Sequence, residues 1–251
     1  MPYSIVIPAR YAATRLPGKP LREIAGKSLL QHVYECAQRT QAQQIIIATD
    51  DERIRQTAIG FGADVCMTSG EHQSGTQRIN EVISLRGIAD DEIIVNLQGD
   101  EPLMPAACVE QVAALLASNP DAQMSTLATA VTHDADVFDS NVVKVVLNKH
   151  GQALYFSRAS IPWQRGSYEK NRVDHTAHWS CLRHIGIYAY RAVYIKEYVS
   201  LPASPLETLE SLEQLRVLWH GGTIVVGHAV EIPGPGVDTE QDFARVSQLL
   251  S

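Results

Sequence analysis

Arg10, Arg15 and Lys19 stand close together with no acidic residue between them, in a loop that follows the β-branched run Ser4 to Ile7. Pro17, Gly18 and Pro20 deny that loop a helical alternative. In an open α/β sheet, ligands bind beyond the carboxyl ends of strands. Arginine forks and a lysine placed there match the oxygens of a polyphosphate. A second signal is Asp100, which closes the apolar run Ile93 to Leu97 through a tight Gln98-Gly99 turn. An aspartate at a strand's carboxyl end facing phosphates suits Mg2+, which takes one or two carboxylates and completes its shell with phosphate oxygens and water. Its bland alternative is a helix cap or surface turn. Asp238 follows the rigid Pro233-Gly234-Pro235-Gly236 segment and is either a second metal ligand or a cap for the last helix.

Two further groups carry polar chemistry. Ser74-Gly75-Thr76-Gln77-Arg78 opens a helix, where free amides bind an anion or the edge of a base. Arg158, His184, Tyr188, Glu213 and Gln214 form a later polar set, in which Arg158 and His184 suit a carboxylate. His184 and Tyr188 are four apart, so on a strand they share a face. Gly26-Lys27-Ser28 imitates the end of a phosphate-binding P-loop, but position 21 is Leu21 and the required glycine is missing. Gly26 reads as a turn residue and Ser28 as a helix cap.

The elements that must position these residues alternate in the first half. After Ser4 to Ile7, a helix carries Leu29, Leu30, Val33 and Cys36; Gln44 to Thr49 reads as a strand buried on both faces. Asp50 is expected to cap the next helix, which shows Ile54, Ala58 and Phe61 on one face. Asp64 to Met67 and Glu92 to Leu97 are strands, with helices around Ile79 to Ile83 and Val109 to Leu116. This rhythm is that of a doubly wound sheet. From about 120 to 220 it changes: Met124 to Val131, Val142 to Leu147, Ala153 to Phe156 and Ile185 to Tyr190 read as strands of a smaller mixed subdomain. That section is expected to wall a cleft or to make a dimer contact. Gln164 to His178 reads as a mobile loop, and Leu206, Leu209, Leu212, Leu215 and Leu218 as one helical stripe. Thr223 to Gly227 is a strand; Thr239 with Asp242 resembles a capping box at the last helix.

The 251 residues make one domain with that inserted section. Twenty-one basic against 28 acidic residues give a net charge of −7, which argues against a general nucleic-acid binder with its broad basic face and leaves room for a local cationic pocket for a nucleotide. The four cysteines show no Cys-x-x-Cys pair, which argues for a reducing compartment, and no apolar run approaches the roughly 18 residues of a membrane span. A cytoplasmic protein is the expectation.

Taken together, Ile7-Pro8-Ala9-Arg10-Tyr11, Thr14 to Pro20, His72-Gln73-Ser74-Gly75-Thr76, Val95 to Pro102, Tyr155 to Ala159, Leu182-Arg183-His184 and Leu212 to Arg216 resemble, in order, the 3-deoxy-manno-octulosonate cytidylyltransferases, or CMP-KDO synthetases. The resemblance runs the whole length. It implies a Rossmann-like nucleotidyltransferase fold, a homodimer, Mg2+ as cofactor, and two substrates, CTP and the acidic eight-carbon sugar KDO. The reaction would give CMP-KDO and pyrophosphate for lipopolysaccharide synthesis. By resemblance, Arg10, Arg15 and Lys19 clamp the triphosphate, with Lys19, Arg15 and Asp100 central to catalysis. Ser74, Gly75 and Arg78 hold the cytidine end, and Asp100 and Asp238 bind the metal. Gln98, Arg158, His184, Tyr188, Glu213 and Gln214 form the sugar-acid pocket. Position 77 departs from the family, which commonly has an acid where this chain has Gln77. The rival readings are the same transfer onto 8-amino-KDO or another acidic sugar, and a noncatalytic nucleotide-binding protein on this fold.

Overall fold

A computed structural model describes residues 2–12, 16–168, 173 and 181–251. The chain opens with β1 (Tyr3–Ala9), a 3-10 turn at Lys19–Leu21 and the small hairpin β2 (Glu23–Ile24) and β3 (Lys27–Ser28). There follow α1 (Leu29–Gln38), β4 (Gln44–Thr49), α2 (Glu52–Gly60), β5 (Asp64–Met67), α3 (Gly75–Arg86), β6 (Ile93–Asn96) and α4 (Ala106–Ala117). The second half runs β7 (Met124–Ala130), α5 (Asp134–Phe138), β8 (Lys144–Leu147), β9 (Ala153–Ser157), β10 (Leu182–Arg191), α6 (Ala192–Ser200), α7 (Pro205–Glu210), α8 (Gln214–Trp219), β11 (Ile224–His228) and α9 (Glu240–Leu250).

The main sheet has the order β11-β7-β10-β6-β1-β4-β5, with β8 and β9 attached beyond β10. β5, β4, β1 and β6 are mutually parallel, whereas β10 runs antiparallel to β6 and β7. The chain builds outward from β1 through β4 to β5, then returns to place β6 on β1's other side. The carboxyl ends of β1 and β6 therefore flank the point where strand order reverses, and a crevice opens there. Alternation along the strands feeds two cores. Ile5, Ile7, Ile47 and Val95 pack with Val33 and Val109 on one face. Val6, Ile46 and Ile94 pack with Ile79, Val82 and Leu215 on the other. The stretch read as a mixed subdomain adds β7 and β10 to this same sheet.

Local chemistry differs from the sequence reading at three places. The cap of α2 is Asp51, whose carboxylate accepts from the Arg53 and Ile54 amides, while Asp50 faces Arg78 at 3.2 Å. The leucine stripe is two short helices, α7 and α8, broken at Ser211 with φ of 51°. Strict three-residue steps precess by about 60° each around an α-helix, so such a stripe cannot stay on one face. Leu209 is accordingly 81% exposed. Helices α5 and α6 are additional to the elements that the sequence pattern predicts. Gly26 and Lys27 belong to the β2–β3 hairpin, and Ser28 caps α1 by accepting from the Gln31 amide at 3.2 Å. Most of Gln164 to His178 lies outside the described residues. Among the described residues no helix is long and apolar enough to cross a membrane.

Candidate active site

The crevice holds a cavity of about 300 Å³. Its floor is the pair of strand ends, Pro8-Ala9-Arg10 from β1 and Gln98-Gly99-Asp100 after β6. Gly99 is dictated by their approach: a Cβ there would sit 2.9 Å from the Pro8 carbonyl oxygen. The loop after β1 closes on itself, the Gly18 amide donating to the Tyr11 carbonyl at 3.1 Å. Gly18 takes a left-handed φ of 66° beneath the Tyr11 ring. This turn delivers Lys19. Its Nζ donates to Asp100 Oδ2 at 2.7 Å, to the Val237 carbonyl at 2.8 Å and to Asp238 Oδ1 at 3.3 Å. Asp238 arrives because the Pro233–Gly236 segment packs flat on the turn after β6. A Cβ at Gly234 would meet Leu103 at 2.7 Å and one at Gly236 would meet Glu101 at 2.9 Å, and the Val237 amide donates to the Asp100 carbonyl. Arg15 lies outside the described residues.

The opposite wall is the start of α3. Ser74 caps it by accepting from the Gln77 amide at 3.2 Å. Gly75 brings the helix within 3.2 Å of the Pro8 ring, measured to a notional Cβ. The first-turn amides of α3 thus open beside β1's end, a ready anion or base-edge site. Arg78 lines the cavity but is buried, its guanidinium bonded to Thr68 Oγ1 and paired with Asp50. Gln77 does not point to chemistry: its Oε1 accepts from the Gln73 amide at 2.8 Å. Glu213 completes the lining and is tied to α3 by Thr76 Oγ1 at 3.1 Å. Desolvation by the cavity wall holds the carboxyl of Glu213 above its ordinary pKa although the residue as a whole is exposed, with the Thr76 bond opposing.

Charge around Lys19 is unbalanced. Asp100, Glu101 and Asp238 crowd this ammonium, and Glu101 is pushed up to about 8 by burial first, then by the two aspartates. Glu101 and His72 join the site as well; both sit inside the quoted motifs, but only the fold reveals the crowded carboxylates around one and the cavity position of the other. Among the described residues no group of three or more histidine, cysteine or acidic side chains is arranged to hold a metal. Two carboxylates meeting at one cation still suit Mg2+, which leaves most of its shell to water and phosphate. Asp100 and Asp238 are the donor set that fits.

Arg10, Lys19, Ser74, Gly75, Arg78, Gln98, Asp100, Glu213 and Asp238 all line this one cavity. Arg158, His184, Tyr188 and Gln214 do not. The Arg158 guanidinium is spent on the Glu210 and Ser140 carbonyls at 2.7 and 3.0 Å. His184 lies between Phe156 and Tyr188, with ring centroids 5.0 and 5.4 Å away, and its Nε2 meets Thr126 Oγ1 at 2.9 Å. A bulge interrupts β10 between Ile185 and Tyr188, yet the two rings remain neighbours. Burial pushes the His184 imidazole down to about 3, so it is neutral. Gln214 is 4% exposed and its Nε2 has no hydrogen-bond partner among the described residues.

A family model described as cytidylyltransferase matches residues 4–224. The chain is 54% identical over 251 residues to a 3-deoxy-manno-octulosonate cytidylyltransferase of Vibrio vulnificus, spanning 100% of this chain and 99% of that one. It is 51% identical over 250 residues to one from Photobacterium profundum, spanning 100% of both. A solved structure of CMP:2-keto-3-deoxy-manno-octonic acid synthetase complexed with CTP superposes with a TM-score of 0.89 at 41% identity, covering 98% of each chain. A 4-diphosphocytidyl-2C-methyl-D-erythritol synthase, at 15% identity and a TM-score of 0.60, shares the fold alone.

Proposed function

The chain belongs to the cytidylyltransferase family, and on that premise we propose that it transfers CMP from CTP to the anomeric hydroxyl of KDO, releasing pyrophosphate. The product serves lipopolysaccharide synthesis. The observation that carries this reading is the cavity at the strand-order reversal, where a phosphate-loop lysine sits between Asp100 and Asp238 and faces the start of α3. A relative solved with CTP supports the same nucleotide here.

Arg10, Arg15 and Lys19 bind the triphosphate. Asp100 and Asp238 would hold Mg2+, which when bound would neutralise phosphate charge and so lower the barrier to displacement. Lys19 then turns from the carboxylates to the phosphates, where its charge stabilises the departing pyrophosphate. Ser74, Gly75 and Arg78 fix the cytidine end. On the β10 side, Gln98, Glu213, Gln214, Tyr188, His184 and Arg158 receive the sugar acid. The orphan Nε2 of Gln214 offers a donor to a sugar oxygen, and Arg158 meets the carboxylate by leaving its backbone carbonyls. The anomeric oxygen forms its bond to the α-phosphorus as the bond to the β-phosphate oxygen breaks, and the hydroxyl proton is lost to solvent. No covalent enzyme intermediate is needed; positioning and electrostatics suffice. The enzyme works as a homodimer in the cytoplasm.

The test is pyrophosphate release from CTP and Mg2+ with KDO, with its 8-amino analogue and with no acceptor. Release with KDO is expected. Release only with the amino sugar moves the acceptor assignment, and CTP binding without release under any condition refutes the enzyme reading. Asp100→Asn should abolish turnover with the fold intact; wild-type turnover in that variant removes Asp100 from the metal site.

A further inference from the structure

We propose that Glu81, on the second turn of α3 and off the cavity lining, is a positioning residue of the nucleotide site: it holds His72 and the loop 69–73 against the bound nucleotide. The inference rests on the CTP reading given above.

The loop 69–73 joins β5 to α3 and presents His72 and Gln73 to the cavity. Its backbone is held by side chains. The Ser69 amide donates to Glu81 Oε2 at 2.8 Å, the Glu71 amide to Ser69 Oγ at 3.1 Å and the Gln73 amide to Gln77 Oε1 at 2.8 Å. Gln77 and Glu81 are one helical turn apart, so a single face of α3 grips both ends of the loop. The same Oε2 of Glu81 also binds Nε2 of His72. The pair is only partly open to water, with side chains 21% and 30% exposed.

This arrangement commits one ring nitrogen and leaves the other. A carboxylate on Nε2 keeps the proton there and so selects the tautomer, the second-partner effect that orients functional histidines. Nδ1 is then the ring atom free to meet a ligand in the cavity. Glu81 does not line the cavity and reaches the nucleotide through His72. Because one oxygen accepts both bonds, a glutamine at this position can reproduce both through its Oε1, whereas an alanine reproduces neither.

The experiment measures the CTP dissociation constant by calorimetry, and steady-state KM and kcat for CTP and KDO. It uses the wild type, Glu81→Ala, Glu81→Gln, His72→Ala and the double variant Glu81→Ala/His72→Ala, with Tm as a fold check. Glu81→Ala and His72→Ala are each expected to raise the dissociation constant and KM for CTP about tenfold, while KM for KDO and kcat move less than threefold. The double variant should be no weaker than either single one, since the two residues act as a unit. Glu81→Gln should recover most of the lost affinity. Additive losses in the double variant, an equal rise in KM for KDO, or a glutamine as weak as the alanine each overturn the proposal. If Glu81→Ala fails to fold, unchanged CTP affinity in His72→Ala overturns it alone. A wild type that does not bind CTP refutes the nucleotide reading instead.

Discussion

Lys19→Met separates what the ammonium does for the fold from what it does for turnover. The substitution keeps the apolar stem and removes three donated bonds, to Asp100, Val237 and Asp238. A hydrogen bond to a charged group contributes about 1.5–3 kcal/mol. Asp100 and Asp238 have side chains 31% and 54% exposed, so water re-solvates much of what is lost. The net cost to stability is about 1–2 kcal/mol. For a chain of this size that lowers Tm by about 2–8 °C. On the proposed reading the kinetic cost is larger, because the charge acts on the developing anion of the leaving group. Losing one such preorganised contact costs about 3–4 kcal/mol, or about 10²–10³ in kcat. The assay is pyrophosphate release at saturating CTP, KDO and Mg2+, paired with thermal unfolding. A kcat within threefold of wild type refutes the assignment of Lys19 to the phosphates. A Tm fall above about 10 °C would show instead that Lys19 is mainly a structural clasp for Asp238.

Three further outcomes follow from the packing. Gly99→Ala drives a methyl into the Pro8 carbonyl at 2.9 Å and should lower stability by about 1–3 kcal/mol, with kcat/KM falling as the two strand ends part; urea unfolding and initial rates check this. The Arg216–Glu207 fork, bonded at 2.7 and 2.6 Å with side chains 15% and 11% exposed, anchors α8 to α7. Arg216→Ala should cost about 3 kcal/mol in urea unfolding, and Arg216→Met with Glu207→Leu less than that, because no unpaired buried charge remains. His184 is held neutral by burial, so the unfolded chain takes up a proton near pH 6.5 that the folded one refuses until about 3. Stability from this residue is complete above pH 6.5 and falls as pH drops towards 3, by at most about 1.4 kcal/mol per pH unit; His184→Gln should flatten the pH profile of unfolding across that window.

What the sequence declares is local chemistry. The three isoleucines of Gln44–Thr49 announce a strand buried on both faces because no polar position interrupts them. The box of Thr239 and Asp242 can be read because both partners lie within one turn. The cationic loop is legible because Pro17, Gly18 and Pro20 permit little else. The meeting of Lys19 with Asp100 and Asp238 is different, since 81 and 219 residues separate the partners. Composition names those residues, but only the order of strands brings them together. Asp50 and Asp51 show the limit at shortest range: either can cap α2, and the choice is made by Arg78, which recruits Asp50 from another element. The leucine stripe misleads for a geometric reason, since its period fits no single helical face.

The two halves of the sheet divide the labour of the site. The parallel half fixes backbone: β1 and β6 meet so tightly that a Cβ at Gly99 would sit 2.9 Å from the Pro8 carbonyl oxygen, and one at Gly75, at the start of α3, would sit 3.2 Å from the Pro8 ring. Such a floor suits the phosphates and the base, which are recognised by amides and fixed charges. The antiparallel half brings side chains. Tyr188 on β10 pairs in register with Asn96, two residues before Gln98, and Glu213 reaches back to Thr76 at the start of α3. Of the polar set that lies off the cavity, His184 and Tyr188 are on β10, the strand next to β6, whereas Arg158 follows β9 on the far side of β8 and Gln214 opens α8 beside Glu213. Glu213 and Gln98 line the cavity on the β10 side, and on the proposed reading the acceptor meets them there. On the same reading, substitutions on β10 should change the KM for the sugar acid while the KM for CTP, set by β1, β6 and α3, stays the same.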